Sequence, residues 1–449
     1  MAVRSGRWAD RAVLRARRRS CPSSMTALLR QLPDTELVNE YRPGGLHPVH
    51  LGDKFHDGRY EVKRKLGCGA FGTVWLVQDH VASGFAALKV MRADADRREL
   101  GILRHLKTKC ADIDDYVVRL LDNFEHTGPN GVHQCIVTEV LGPSLAGIED
   151  DLEDSFPDEV LPPDVAQSIS LQIARGLARL HSAGVVHGDF TKRNILLCAP
   201  AFSRWKTITD VDEYMHEPQT EPLRLYETGE PASPSPHRPS YTVYGVLSSA
   251  MTTACFADPA NVRVKICDFG ESFLVEAPSG KLHIPPMYMS PEAAILRSVA
   301  PPHDVWALAV VVHDLVSNGW PLFATPWQKS NDAAVAGAVL RLGKLPDDLW
   351  SKWHARSTYF DEDARWIGSP NDRPFREDDT GTTVSAHVSP ERCGGDVAAF
   401  ARVIRGMCDY YPTRRTTSAE VVENLEAIWG SRQDSDTADA AAPAALPAA

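Results

Sequence analysis

The sequence predicts an α+β protein of two unequal lobes: a small β-rich amino-terminal lobe and a larger, mainly helical carboxy-terminal lobe carrying a spacer insert. Three observations predict it. Between Tyr60 and Leu141 the chain holds short runs rich in β-branched and aromatic residues, with one helical repeat among them. From Pro162 onward the apolar residues recur at helical spacing. Between these helical stretches, about 199–260, lies a long interruption that includes Pro231-Ala232-Ser233-Pro234-Ser235-Pro236. A compact domain seldom holds so long a loop, so this segment is expected to be a partly disordered spacer.

Residues 1–39 read as a basic, disordered arm. Over the first twenty positions Arg4, Arg7, Arg11, Arg15, Arg17, Arg18 and Arg19 face only Asp10. A mitochondrial presequence or an extension from gene annotation are the other readings of so Arg-rich a start. The amino-terminal lobe with its lead-in is expected over 40–139. Glu40 to Pro48 is turn-rich and irregular. Tyr60–Leu66, Thr73–Val77 and Phe85–Met91 follow as strands. A helix comes next, capped by Asp94 or Asp96, with Leu100, Leu103 and Leu106 on one face. Tyr116–Leu121 and Gln134–Leu141 complete five strands.

The helical lobe is expected over 140–429. Pro163 and Asp164 open a long helix whose Val165, Ile169, Ile173, Leu177 and Leu180 share a face, and Gly184 ends it. Further helices are expected at Asp304–Val316, Ala333–Leu342 and Val397–Met407. Residues 430–449 read as a disordered Ala-rich tail.

Composition narrows the function. With 43% apolar and 24% charged residues the chain fits a soluble globular protein. Its longest apolar run, near Val305–Val312, is far short of a membrane span. A net charge of −11 makes nucleic acid a poor direct partner and a basic protein an easier one. The nine cysteines form no C-x-x-C pair, which points to a reducing compartment without disulfides or structural zinc.

Four stretches carry chemistry. Leu66-Gly67-Cys68-Gly69-Ala70-Phe71-Gly72-Thr73-Val74 matches G-x-G-x-x-G-x-V between two strands. Such glycines let backbone N–H groups approach phosphate oxygens closely. The bland reading is a glycine-rich hairpin, and a dinucleotide-binding turn would need a helix where Thr73 begins a strand. In Ala86-Ala87-Leu88-Lys89 the ammonium sits on a strand, and Glu99 on the next helix is its candidate partner. Singly, an edge lysine and a surface glutamate paired with Arg97 or Arg98 read as well. Val185-Val186-His187-Gly188-Asp189-Phe190-Thr191-Lys192-Arg193-Asn194 places a carboxylate five positions before an amide. Asp189 suits a base that takes a hydroxyl proton, Asn194 a metal ligand, and His187 a structural role. Lys265-Ile266-Cys267-Asp268-Phe269-Gly270 offers a second metal-binding carboxylate, Asp268. Glu292 is expected to pair with Arg415, and Asp304 to open a helix anchoring the large lobe.

In this order the four stretches resemble a eukaryotic protein kinase over roughly 57–429. More closely, the chain resembles the SR-protein kinase family, in particular its fungal members. That likeness rests on Gly44-Gly45-Leu46-His47-Pro48-Val49, on Glu139-Val140-Leu141-Gly142, on the position of the spacer before Asp268, and on Asp268-Phe269-Gly270-Glu271-Ser272-Phe273. The resemblance implies a bilobal protein kinase fold and a monomeric serine/threonine kinase that phosphorylates serines of Arg-Ser-rich proteins, in cytoplasm and nucleus. It implies ATP held by Leu66, Gly67, Cys68, Gly69, Ala70, Phe71, Gly72, Val74, Ala87, Lys89, Glu139 and Leu141, with Mg2+ on Asn194 and Asp268. Catalysis falls to Asp189, Lys89, Glu99, Arg193 and Lys192. Acidic stretches at Asp347-Asp348, Asp361-Glu362-Asp363 and Glu377-Asp378-Asp379 are candidates for docking arginine-rich segments, or are simply solvated loops.

Two departures from the family pattern matter. Gly188 stands where an arginine usually receives a phosphorylated activation loop, so the enzyme is expected to work without that modification. Thr191 stands where a lysine is usual, followed by Lys192 and Arg193. The alternative reading, a pseudokinase that binds without turnover, rests on Thr191. Lys89, Glu99, Asp189, Asn194 and Asp268 argue for turnover.

Overall fold

A computed structural model describes residues 29, 32, 35–148, 161–245, 249–278, 283–323, 330–369, 373, 384–385 and 387–430. Of the arm expected as disordered over 1–39, residues 29, 32 and 35–39 are described, and its end is ordered because Glu36 pairs with buried Lys65 and Val38 is buried. Its remaining residues, the acidic stretch Glu377-Asp378-Asp379 and the tail from 431 lie outside the described residues.

The amino-terminal lobe is an antiparallel six-stranded sheet of order β1-β2-β3-β4-β6-β5. Its strands are β1 (Lys54–Phe55), β2 (Tyr60–Gly69), β3 (Gly72–Asp79), β4 (Gly84–Met91), β5 (Leu120–Gly128) and β6 (Gly131–Thr138). Alternation along β2 to β4 buries Tyr60, Val62, Trp75, Val77, Ala86 and Leu88 in one core. Helix α1 (Arg98–Lys109) lies between β4 and β5 and buries Leu100, Leu103 and Leu106. It starts two residues later than Asp96, whose carboxylate instead accepts the Arg98 N–H at 3.0 Å.

The fifth strand is not where the apolar run Tyr116–Leu121 suggests. Val118 donates its N–H to the Ile266 carbonyl at 3.0 Å, and Ile266 donates to the Tyr116 carbonyl at 2.8 Å. That run therefore ties the two lobes together. The strand itself begins at Leu120 and is largely polar, because it lies at the sheet edge and needs few buried side chains. Likewise β6 ends at Thr138, before Glu139-Val140-Leu141, which forms the hinge between the lobes.

The carboxy-terminal lobe is built around α2 (Pro163–Ser182), buried along most of its length. Gly184, at φ +73°, turns the chain after it, where a side chain would be strained. Strand β7 (Val185–Val186) leads into the loop 187–194 that carries the candidate catalytic residues (the catalytic loop), and β8 (Ile195–Cys198) leads out.

Residues 199–260, expected as a partly disordered spacer, carry regular structure. Within them are α3 (Ile208–Asp212), the antiparallel pair β9 (Thr220–Pro222) and β10 (Tyr241–Val243), and α4 (Ser249–Cys255). Specific partners on the amino-terminal lobe order this segment: Arg64 reaches Asp212 at 2.6 Å, and Val243 enters the sheet's own core. Then follow β11 (Arg263–Ile266), paired with β8, and β12 (Phe273–Leu274), paired with β7. Helices α5 (Pro291–Leu296), α6 (Pro301–Val316), α7 (Asn331–Leu342), α8 (Val397–Met407) and α9 (Ser418–Trp429) follow, with single helical turns at Asp347–Trp350, Arg356–Tyr359 and Pro390–Cys393 between α7 and α8. Among the described residues no helix is long and apolar enough to cross a membrane.

Candidate active site

The two lobes enclose a cleft of about 1050 Å³. Its roof is the lower face of the sheet. Strand pairing sets Val74 opposite Lys89, Ala87 opposite Thr138 and Lys89 opposite Ile136, so these side chains line one face by the two-residue period. Leu66 to Gly72 close the roof as the β2–β3 hairpin. Gly72 is fixed by packing: a Cβ there would meet the Val90 carbonyl oxygen at 2.4 Å. Gly67 and Gly69 have nothing within 4 Å of a Cβ, so it is the absence of side chains that keeps this part of the cleft open. A bare, amide-bearing hairpin of this kind fits phosphate groups.

Lys89 lies below it. Its Nζ donates to Glu99 Oε1 at 2.9 Å and Oε2 at 2.7 Å, and to Asp268 Oδ1 at 3.0 Å. Burial alone would lower the Lys89 pKa, but the Asp268 and Glu99 carboxylates outweigh it and hold the ammonium above the ordinary lysine value. Lys89 in turn holds Asp268 below the usual carboxylate range, against burial. Burial pushes Glu99 above its ordinary value despite Lys89. The backbone of Asp268 has φ +57°, a left-handed conformation uncommon outside glycine. Its Oδ1 also accepts the Gly270 N–H at 3.3 Å, which secures the turn.

The catalytic loop is suspended from a buried carboxylate on α6. Asp304 Oδ2 accepts the His187 N–H at 2.7 Å, and Oδ1 accepts the Gly188 N–H at 3.0 Å. Oδ2 also takes His181 Nε2 at 3.1 Å. Burial alone would raise the Asp304 pKa; the His181 hydrogen bond and charge hold it below the ordinary aspartate value. His187 has a structural geometry, as its sequence context suggests. Its Nε2 lies 3.1 Å from the Cys267 carbonyl, which can only accept, so Nδ1 is left to accept the Asp189 N–H at 3.3 Å. One imidazole thus links the catalytic loop to the segment carrying Asp268.

Asp189 and Asn194 meet at the base of the cleft. Asn194 Nδ2 donates to the Asp189 carbonyl and to Oδ2, both at 2.8 Å. Asp189 Oδ1 is buried with no hydrogen-bond partner among the described residues. A buried acceptor left without a donor is costly in a purely structural role and suits a group that receives a substrate proton. Burial raises the Asp189 pKa, and the Asp268 and Glu271 charges add to that.

Asp268 and Asn194 present oxygen donors to the same cleft, the donor type that Mg2+ requires. Asn194 commits its amide nitrogen to Asp189, which turns Oδ1 away from that contact.

Every residue named from the sequence for catalysis, ATP or Mg2+ lines this cleft except Lys192. Its Nζ pairs instead with Asp314 of α6 at 2.7 Å, inside the carboxy-terminal lobe. The catalytic loop makes a 3-10 turn over Lys192–Asn194, and that turn sends Lys192 inward and Arg193 outward into the cleft. Glu139 lines the cleft, but its carboxylate is engaged: it accepts Lys265 Nζ at 2.6 Å and the Arg119 N–H at 2.7 Å. Sequence reasoning missed Val118, Ile136, Thr138, Leu196 and Met251 of the lining. Ile136 and Thr138 were within reach, as every second residue of a strand leading to the hinge; Met251 carried no local signal.

Glu292, at the start of α5, is held in a buried ion pair. Arg415 reaches Glu292 at 2.7 and 3.0 Å in bidentate fashion and lies over the Trp306 ring. Gly188, at φ +79°, presents no side chain that could receive a phosphate.

A two-lobed fold whose cleft joins a glycine hairpin, a Lys–Glu–Asp cluster and an Asp–Asn pair defines the phosphoryl-transfer class in which positioning and electrostatics do most of the catalysis. The protein kinase domain family matches residues 60–210 and 255–425, and the chain belongs to that family. It is 40% identical over 172 residues to protein kinase dsk1 of Schizosaccharomyces pombe, covering 36% of this chain and 31% of that protein. It is 39% identical over 173 residues to human SRSF protein kinase 3, covering 37% and 30%. It is 25% identical over 409 residues to serine/threonine-protein kinase SRPK of Physarum polycephalum, covering 87% and 91%. The chain thus spans under a third of dsk1 and of SRSF protein kinase 3.

Proposed function

We propose that this chain is an ATP-dependent serine/threonine kinase that transfers the γ-phosphate to serines of Arg-Ser-rich proteins. The observation that carries the reading is the convergence of Lys89, Glu99 and Asp268 with Asp189 and Asn194 in one cleft. In this reading Lys89, oriented by Glu99, holds the α- and β-phosphates under the bare hairpin. Asp268 and Asn194 would hold Mg2+, which neutralises phosphate charge as it builds on the leaving group. Asp189 aligns the serine hydroxyl and takes its proton through Oδ1. The serine oxygen forms the new bond to the γ-phosphorus while the bond to the ADP oxygen breaks. Arg193 supplies a cation beside the transferred group.

The serine and Arg-Ser preferences draw on the relatives' names, on the net charge of −11, and on the exposed Asp347, Asp348, Glu362 and Asp363 of the large lobe. The test is phosphate transfer from Mg-ATP to an Arg-Ser repeat peptide beside an acidic control peptide. Transfer to the Arg-Ser peptide is expected. Transfer to the acidic peptide alone overturns the substrate class, and nucleotide binding without transfer to either peptide overturns the enzyme.

A further inference from the structure

The protein kinase domain match omits residues 211–254, yet this segment reaches the cleft. Its first part is fastened to the amino-terminal lobe. Arg64 donates to the His216 carbonyl at 3.2 Å, beside its ion pair with Asp212. The Leu51 N–H donates to Tyr241 Oη at 3.1 Å. Lys65, wholly buried, donates to the Val243 carbonyl at 3.0 Å and pairs with Glu36. Two residues on, Gly245 lies beside the Leu66 carbonyl at the start of the glycine hairpin.

Its last part is fastened to the other lobe. Helix α4 packs on β8, the strand that carries Leu196 in the cleft floor. Cys255 of α4 sits against the hinge so closely that a Cβ on Gly142 would meet its sulfur at 2.7 Å. Met251, on the same helix and 2% exposed, joins Leu141, Ser144 and Leu196 in lining the cleft. The phosphate end of the cleft is defined by Gly67, Gly69, Lys89 and Asp268, all polar or bare. Met251 and Leu196 belong to the hinge end, where with Leu141 they form an apolar part of the lining, as a purine requires. A thioether is polarizable and adapts to an aromatic face.

We infer that Met251 contacts the nucleoside of bound ATP, so that the insert, strapped to both lobes, completes the nucleotide pocket. This rests on the proposed ATP site and adds a residue to it from outside the matched domain. The test is calorimetric titration of the full chain with ATP, ADP and adenosine, for wild type, Met251→Ala, Met251→Leu and Met215→Ala. Met215 is equally buried in the insert but does not line the cleft, so it reports on packing alone.

Met251→Ala is expected to weaken all three ligands by the same factor, about five-fold, because alanine leaves the base without its apolar neighbour. Met251→Leu restores most of the affinity, and Met215→Ala lowers the melting temperature with affinities unchanged. Undiminished affinities in Met251→Ala, a loss for ATP but not adenosine, or an equal loss in Met215→Ala each overturn the inference. A wild type that binds no nucleotide overturns the proposed function itself, a result distinct from these.

Discussion

Asp304→Asn is the most informative single change, because it leaves the cleft lining intact and alters only what the catalytic loop hangs from. The carboxylate accepts three donors: the backbone N–H groups of His187 and Gly188, and His181 Nε2. An amide has one oxygen. Kept on the side that serves His187 and His181, it turns an NH2 toward the Gly188 N–H, donor against donor. The change removes one charge-assisted hydrogen bond, worth about 1.5–3 kcal/mol, and leaves a buried N–H unpaired at about 1–3 kcal/mol; these overlap, so about 2–4 kcal/mol of stability is lost. In a chain of this size that lowers the melting temperature by roughly 2–5 °C. The Asp189 side chain sits one residue past Gly188, and a shift there on the order of 1 Å costs about 100-fold in rate. The expected result is a kcat for Arg-Ser peptide phosphorylation reduced about 100-fold, with the Kd for ATP within two-fold of wild type (about 0.4 kcal/mol). A variant with normal kcat and normal melting temperature would refute the claim that Asp304 positions the loop.

Asp189→Ala should abolish turnover while ATP still binds in a direct titration; because the folded pKa of Asp189 is raised, the acid limb of the wild-type kcat/KM profile should fall at a pH above the ordinary aspartate pKa. Glu292→Ala leaves Arg415 buried without its partner and should cost about 3–5 kcal/mol in thermal unfolding. Burial alone would raise the Glu292 pKa, but Arg415 lowers it below the ordinary glutamate value. Its stabilising contribution is therefore present above that ordinary value and lost as pH falls through the lowered one, so the variant should show a flatter acid limb in melting temperature against pH. Arg193→Ala should lower kcat about 100-fold with little change in melting temperature, whereas Lys192→Ala should lose about 3 kcal/mol of stability and little nucleotide affinity; the opposite pattern would reverse their assigned places.

The parts of the site that were legible in the sequence are those where local chemistry fixes the residue. Gly72 must be glycine because β4 passes against it, and Lys89 and Glu99 find each other because a strand and the next helix carry them into the same layer. Asp189 and Asn194 sit in one loop, so their spacing alone brings them together. What was not legible depends on distant partners. The polar edge strand β5 looks like loop, while the apolar run before it, Tyr116–Val118, spends its burial on β11. The insert reads as disordered by its prolines and serines, and it is ordered by Arg64 and Lys65, more than 140 positions earlier in the chain than Asp212 and Val243. No window of sequence contains both ends of those contacts.

The catalytic loop shows how far a local pattern underdetermines its own chemistry. After Asp189 the chain offers Thr191, Lys192 and Arg193, and composition alone makes Lys192 and Arg193 equivalent sources of charge near phosphate. The 3-10 turn over Lys192–Asn194 separates them, because successive side chains on so tight a turn point about 120° apart. Asn194 is held by Asp189, Lys192 is drawn to Asp314 in a largely buried ion pair, and the remaining direction opens to the cleft with Arg193 on it. Thr191 is itself buried, at 2% exposed. A lysine there would have to thread its ammonium out past the packed base of the loop. On the proposed function, Arg193 would supply from two residues further on the charge absent at position 191. A planar guanidinium with several fixed donors would then stand in place of a single ammonium, answering the same electrostatic demand with different geometry.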